Sequence, residues 1–467
     1  MEIKINDYPK FAVVGHPNKG KSSIVSSLAL DDTVQIGNTP GTTQIKRGFP
    51  LKVDGKIVYE LFDTPGFQRA RRILAWLEEN KPSSADKRAD VIREFIYHYR
   101  DDKRFKDEIE LLEPIMGGSG IIYVVDASKP YGPEYEIEME ILRWTGQPSM
   151  AILNLIGDED YRDDWKRALG QYFRLVRTFN PLKAKFNDHI ELLDSMAQLK
   201  EEWTKSIKIA IGVLENLHKQ KIDRTVDAIV KSTIKSLSYV SIKRIKSKSS
   251  TKDEEKAVIE KYKKELIRYE KNLEKEIASI WNHRSINNVY NILSLDNMGL
   301  FSKESASVFG LSQKELIVTG LSAGAIGGLG IDLALGGGTF LIGSLIGGVV
   351  GGVGAMMGFD NLYDVKVLGQ RFGKRELTVG PMKNINFPYV FLGRTLYHAS
   401  IIANRSHASR DSIELKDKES YAGKIINSQM RKTLEEVHDK LRNKKEPKED
   451  LMVEYRKVIL ESFVKLL

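Results

Sequence analysis

The stretch KFAVVGHPNKGKSS, running from Lys10 to Ser23, decides how this chain is read. An apolar run from Phe11 to Val14 stops at Gly15, and Gly20, Lys21 and Ser22 complete the spacing G-x-x-x-x-G-K-S. The run predicts a buried strand, and the glycine-bearing loop predicts a turn with inward-facing amides. A helix is expected to open at Lys21 or Ser22. Such a cradle suits a polyphosphate: the amides and the positive helix end face its oxygens, Lys21 reaches the β- and γ-phosphates, and the Ser22 hydroxyl ligates Mg²⁺. Gly15 and Gly20 fit because a Cβ there would obstruct the loop or its approach to phosphate. The expected element is a nucleotide-binding P-loop.

Downstream, Ser23 to Leu30 reads as the first helix. Asn38-Thr39-Pro40-Gly41-Thr42-Thr43 is a loop of turn formers and hydroxyls, placed where a threonine could swing onto Mg²⁺ and sense a γ-phosphate. Ile57 to Phe62 is a short strand pattern ending in Asp63-Thr64-Pro65-Gly66. An aspartate there holds Mg²⁺ through water, and a glycine three residues later offers its amide to the γ-phosphate. Residues Gln68 to Leu112 are charged and helical in pattern, longer than a minimal switch helix needs. Further strands are expected at Gly120 to Val125, followed by Asp126-Ala127-Ser128, at Ser149 to Asn154, and at Phe173 to Phe179. Strands alternating with helices predict an α/β fold with a mostly parallel sheet and ligands at the strands' carboxyl ends.

GHPNKGKSS, the PGTT loop and DTPG, in that order, resemble the Era-like branch of the translation-factor-related GTPases over roughly residues 8 to 205. The resemblance implies GTP or GDP as ligand, hydrolysis of GTP to GDP and phosphate, and Mg²⁺ held by Ser22, Thr43 and Asp63. It implies nucleotide contacts from Gly15, Asn18, Lys19, Gly20, Lys21, Ser22, Ser23 and Gly66, with base contacts from Asn154 and Asp158. Lys21, Thr43 and Asn18 take the catalytic roles, Asn18 by placing K⁺ beside the phosphates. Phe67 stands where Ras-like enzymes carry a water-orienting glutamine, so Gln68 is not credited with that role. One departure concerns the base. The family reads guanine with N-K-x-D, whereas this chain has Asn154-Leu155-Ile156-Gly157-Asp158, with the lysine absent and the aspartate one residue late. Thr178-Phe179-Asn180 is the nearest candidate, by position, for the other edge of the base.

At 467 residues, 41% of them hydrophobic, the chain can build two or three cores. A net charge of +9 is compatible with an anionic membrane surface or with RNA. The absence of cysteine excludes disulfides, thiol catalysis and Cys-type zinc sites. The first ten residues lack the apolar core of a signal peptide, so a cytoplasmic start is expected.

A GTPase domain over 1–205 is expected to be followed by a mostly helical domain over 206–467. Ser206 to Leu237 and Thr251 to Tyr290 read as helices. In the second, Val258, Tyr262, Leu266, Tyr269, Leu273, Ile277 and Ile280 recur at steps of four and three, a packing stripe on a charged helix. Lys243 to Lys248 is a basic cluster, read as a solvated loop or a contact for lipid headgroups or RNA phosphate. Between Glu315 and Asp360 the only formal charge is Asp332, in a glycine-rich apolar stretch. Residues 316–359 are read as a hairpin, membrane-inserted or buried in protein. A mixed apolar and basic helix ends near Asn404, and two amphipathic helices fill Lys424 to Leu467. His398 and His407 lack partners at ligand spacing and are read as ordinary satisfied histidines. VFGLS, GIDLALGGG and NINFPYVFLGR resemble the C-terminal domain of a bacterial GTPase family with no assigned role. The favoured reading is a GTP-driven switch at the cytoplasmic face of a membrane, with a lipid or membrane-protein partner. A soluble RNA- or ribosome-associated GTPase and a degenerate nucleotide-binding scaffold are the alternatives; nucleic acid is the less favoured partner.

Overall fold

The computed structural model describes residues 8–29, 47–53, 56–245, 252–281, 299–311, 366–367, 370–371, 375–404 and 421–467. The PGTT loop with Thr43, the 316–359 hairpin and His407 lie outside the described residues. The chain divides into two compact units, one up to His218 and the other from Lys219.

In the first unit, six strands form one sheet: β1 (Lys10–Val14), β2 (Arg47–Val53), β3 (Lys56–Asp63), β4 (Gly120–Asp126), β5 (Ser149–Asn154) and β6 (Leu175–Thr178). Their order is β2-β3-β1-β4-β5-β6. Only the β2–β3 pair at the edge is antiparallel; the others run parallel. β6 is shorter than the Phe173–Phe179 run predicts, because Phe173 turns into the core ahead of it. β2 had no distinct sequence signal: RGFPLKV carries a proline, tolerated at the sheet edge.

Both faces of the sheet are covered, so its central strands are apolar throughout, with successive side chains feeding opposite cores. Ala12, Val14, Ile121, Tyr123, Val125, Ala151 and Leu153 face one core. There they meet α2 (Ala70–Glu79), α3 (Arg88–Tyr99), α4 (Lys106–Met116), α5 (Glu134–Trp144) and α6 (Arg162–Leu169). Phe11, Val13, Ile122, Val124, Met150 and Ile152 face the other, against α1 (Lys21–Ala29), α7 (Phe186–Ala197) and the start of α8 (Glu201–Ser238). Gly120 makes room there: a Cβ would stand 2.8 Å from the indole of Trp203, which lies edge-on to Phe11. The long helical stretch after Gly66 resolves into α2, α3 and α4, three helices where one would connect β3 to β4.

In the second unit, α9 (Lys252–Ile280) buries all seven residues of its predicted stripe. It begins and ends within the stretch predicted helical, and 282–298 lie outside the described residues. The basic cluster is partly strand: β7 (Ser241–Ile245) pairs antiparallel with β10 (Arg375–Val379), while β8 (Lys366–Val367) and β9 (Gln370–Arg371) form a separate two-residue ladder. α10 (Lys303–Phe309) packs on α11 (Phe387–Asn404), a helix apolar on nearly every side and buried accordingly. α12 (Tyr421–Ile425), α13 (Ser428–Arg442) and α14 (Glu449–Val464) follow in the same unit.

Two stretches singled out in the sequence meet here. Asn386 of NINFPYVFLGR exchanges two hydrogen bonds with Leu311 of VFGLS: its Oδ1 accepts from the Leu311 amide at 2.8 Å, and its Nδ2 donates to the Leu311 carbonyl at 3.2 Å. Asn384 Oδ1 accepts from the Asn386 and Phe387 amides, capping α11. Arg394, 4% exposed, donates from Nε to Glu270 Oε1 at 2.5 Å and from Nη1 to Ser305 Oγ at 2.7 Å. Removing one partner from such a buried pair costs about 3–5 kcal/mol. His398 departs from the sequence reading: it is fully enclosed, and its Nδ1 has no hydrogen-bond partner.

Candidate functional site

Parallel register puts the ends of the central strands at one edge. Val13 lies opposite Asp63, Asp126 opposite Asn154, and Leu153 opposite Thr178. The residues that follow these strands therefore form one continuous rim.

The P-loop spans from β1 to α1, which opens at Lys21 as the sequence predicts. Gly15 has φ +139° and Gly20 φ +88°, conformations that side-chain-bearing residues avoid. Neither has room for a Cβ, which would strike the Val124 carbonyl at Gly15 and the Asn154 amide at Gly20. Asn18 is exposed, with φ +61°, a value that asparagine tolerates better than most residues.

Lys21 is almost wholly buried, and its ammonium donates to the Gly15 carbonyl at 3.0 Å and the His16 carbonyl at 3.1 Å. Burial pushes its pKa down to about 8, against the opposing pull of Asp63 and Glu138. Ser22 Oγ donates to Asp63 Oδ2 at 2.7 Å, so the hydroxyl and carboxylate expected at Mg²⁺ are adjacent. Gly66 is buried against the P-loop backbone: a Cβ there would stand 2.8 Å from the Pro17 nitrogen and 2.9 Å from the Gly15 carbonyl oxygen. Thr64 Oγ1 donates to the Val13 carbonyl and ties the same turn to β1. Phe67 inserts into the core, whereas Gln68 is exposed. Ser23 is half-buried in the first turn of α1.

The rim continues across the altered base motif. Asn154 is buried, and its Nδ2 donates to the Lys19 carbonyl at 3.1 Å, joining β5 to the P-loop. The irregular Leu155–Asp158 loop is held from two sides. Ser128 Oγ accepts from the Gly157 amide at 2.9 Å, and Asn180 Nδ2 donates to the Leu155 carbonyl at 2.7 Å. Ser128 in turn donates to Asp126, which closes the turn after β4. Asp158 is exposed in this loop.

The geometry adds residues that motif reading passed over. Tyr135 and Glu138, one turn apart on α5, grip two of the four variable P-loop positions, His16 and Lys19. Glu138 is buried and accepts from Tyr123 OH at 2.8 Å, and its other oxygen lies 2.9 Å from His16 Nδ1. The Tyr135 ring meets His16 edge-on and lies under the Lys19 ammonium. The signal was present in EYEIEMEILRW, where Glu138 falls on the apolar stripe of Tyr135, Met139 and Leu142. Among the described residues, no three His, Asp or Glu side chains could jointly hold a metal ion. The metal candidate is the Ser22–Asp63 pair, chosen for its position beside Lys21.

Residues 166–464 match the family model described as a domain of unknown function (DUF3482). The chain belongs to that family. Its first part, residues 10–154, matches the model described as a 50S ribosome-binding GTPase. Over 90 residues the chain is 39% identical to a GTPase Der of Agathobacter rectalis, covering 19% of this chain and 20% of that relative. Over 223 residues it is 28% identical to a GTPase Der of a Thermoanaerobacter species, covering 46% and 44%. The chain thus spans less than half the length of either relative. Among solved structures, a variant of Aquifex aeolicus Era bound to GDP·AlF₄⁻ aligns with a TM-score of 0.28 and 15% identity, over 51% of this chain and 72% of that one. The match to the GTPase model over residues 10–154 is thus followed directly by the match to the model of unknown function over residues 166–464.

Proposed function

We propose that this chain binds and hydrolyses GTP in a Mg²⁺-dependent cycle. The observation that carries the reading is the convergence of Lys21, Ser22 and Asp63 at one end of the sheet. The Ser22–Asp63 pair has the donor chemistry for Mg²⁺: one hydroxyl and one carboxylate, hard oxygen ligands that leave room for waters and phosphate oxygens. Bound there, the ion would neutralise charge on the β- and γ-phosphates. Lys21 leaves the Gly15 and His16 carbonyls for those oxygens. Thr43, outside the described residues, would add a further hydroxyl ligand, and Asn18 would place K⁺. Asn154 holds the P-loop to the base loop, and Asp158 accepts from guanine. The test is turnover of GTP against ATP with and without Mg²⁺. Lys21→Ala should abolish triphosphate binding, and Ser22→Ala should weaken Mg²⁺-dependent binding more than Mg²⁺-independent binding. Wild-type turnover by Lys21→Ala would overturn the assignment.

We place this cycle at the cytoplasmic face of a membrane, reached through the apolar 316–359 stretch. Among the described residues no helix is long and apolar enough to cross a membrane, so the proposal rests on that stretch and on the basic residues flanking it. Flotation with anionic liposomes should carry the intact chain upward and leave behind a chain lacking 316–359. A second reading, ribosome or RNA association, is favoured by the description of the family that matches residues 10–154. Nuclease-sensitive co-sedimentation with ribosomes, without flotation, would decide for it.

A further inference from the structure

Glu108 lies on α4, far in sequence from every nucleotide motif, yet it is fully enclosed. Its Oε1 accepts from two consecutive backbone amides, Gln68 at 3.1 Å and Arg69 at 2.6 Å. Its Oε2 is buried with no hydrogen-bond partner. A buried carboxylate with one oxygen unpaired is a costly arrangement, kept only where the other oxygen has strong bonds to make. The two amides belong to the residues directly after Phe67, itself locked in the core, and Gly66, packed against the P-loop backbone. A second tie acts in parallel: Arg69 Nη1 donates to the Arg104 carbonyl at 2.8 Å, in the turn that leads into α4.

We propose that Glu108 is a positioning residue of the nucleotide site: through the Gln68 and Arg69 amides it holds the DTPG turn docked on the P-loop, where the Gly66 amide is presented to a γ-phosphate. This rests on the GTP reading above. The extra helices between β3 and β4 then have a role, since they carry the acceptor that fixes the switch segment. The interaction concerns a contact that GTP makes and GDP does not. Its loss therefore falls on the γ-phosphate step rather than on nucleotide binding as a whole.

The experiment uses the full chain and three variants. Glu108→Ala removes the acceptor, Glu108→Asp withdraws it by one methylene while keeping the charge, and Glu108→Gln keeps an acceptor oxygen of the same length. Hydrogen exchange without nucleotide reads the latch directly. Amides 68 and 69 should be protected in the wild type and Glu108→Gln, and should exchange at least tenfold faster in Glu108→Asp and Glu108→Ala. With GTP and Mg²⁺, kcat should fall tenfold or more in Glu108→Asp with GDP affinity within twofold of wild type, and Glu108→Gln should recover most of it. Unchanged exchange or unchanged kcat in Glu108→Asp overturns the proposal, as does an equal loss of GDP and GTP binding, which marks a merely structural role. A wild type that turns over no GTP defeats the parent reading instead, while the exchange arm still decides whether the latch exists.

Discussion

A proton should take part in nucleotide binding. In the free protein Lys21 is buried on two carbonyls with its pKa lowered to about 8. A triphosphate in the cradle would restore it to the ordinary lysine range or above, because opposite charge favours the ammonium. Binding then draws a proton wherever Lys21 is partly neutral beforehand. At pH 8 half of the free molecules lack that proton, so uptake is about half a proton per GTP bound. Between pH 7 and pH 8.5 the affinity should fall about fourfold, ~0.8 kcal/mol, as the free lysine titrates. With Mg²⁺ present the nucleotide phosphates are fully ionised over this interval, and the P-loop amides do not titrate. Calorimetry at pH 8 in two buffers of different ionisation enthalpy measures the uptake, and the same titrations at pH 7 should show almost none. Tight binding at pH 8 with no proton uptake would refute the argument, since Lys21 would then either carry its proton before the nucleotide arrives or not meet the phosphates.

Asn18→Gly keeps the positive φ and removes only the side chain, so it should abolish a preference for K⁺ over Na⁺ in turnover; a preference that survives removes Asn18 from the ion site. Asp158→Asn should shift the base preference from guanine toward xanthine by about tenfold, or ~1.4 kcal/mol, in competition binding, and no shift would place the base reader elsewhere. His398 and His438, buried in the second unit, have pKa values lowered to about 4 and about 3 by burial. The unfolded chain therefore binds protons that the folded one refuses, so stability is intact above about pH 6.5 and is lost as pH falls toward 4. Chemical denaturation between those values should show this slope, and His398→Leu with His438→Leu should flatten it.

The parts legible in the sequence are those fixed by neighbours in the chain. GHPNKGKSS specifies its own turn through two glycines, and the α9 stripe specifies its buried face through spacing alone. What escaped reading depends on contacts across long separations. β2 is a strand because β3 pairs with it, with a register shift between Leu51 and Lys52, and its own residues are only weakly apolar. Glu108 and Glu138 look like solvated helix charges until the fold supplies Gln68 and Arg69 to one and Tyr123 and His16 to the other. Each falls on the apolar stripe of its helix, Glu108 beside Leu111, Leu112 and Ile115, and an acid on such a stripe is the trace that marks a buried acceptor. The base loop is a third case: the sequence announces a misplaced aspartate, and only the structure supplies the Ser128 and Asn180 bonds that shape the loop around it.

The Asn386–Leu311 clasp has a consequence in polymer terms. It closes a loop of chain whose two ends are fixed at one point of the second unit, whatever lies between them. The entropy of closing a flexible loop grows only with the logarithm of its length, about 0.6 kcal/mol per doubling. Excising 316–359 therefore changes the closure term by less than about 1 kcal/mol. Any larger drop in the melting transition of the deleted chain measures contacts that the excised residues themselves make with the protein. A chain that melts where the intact one does has lost a segment whose partners lie elsewhere.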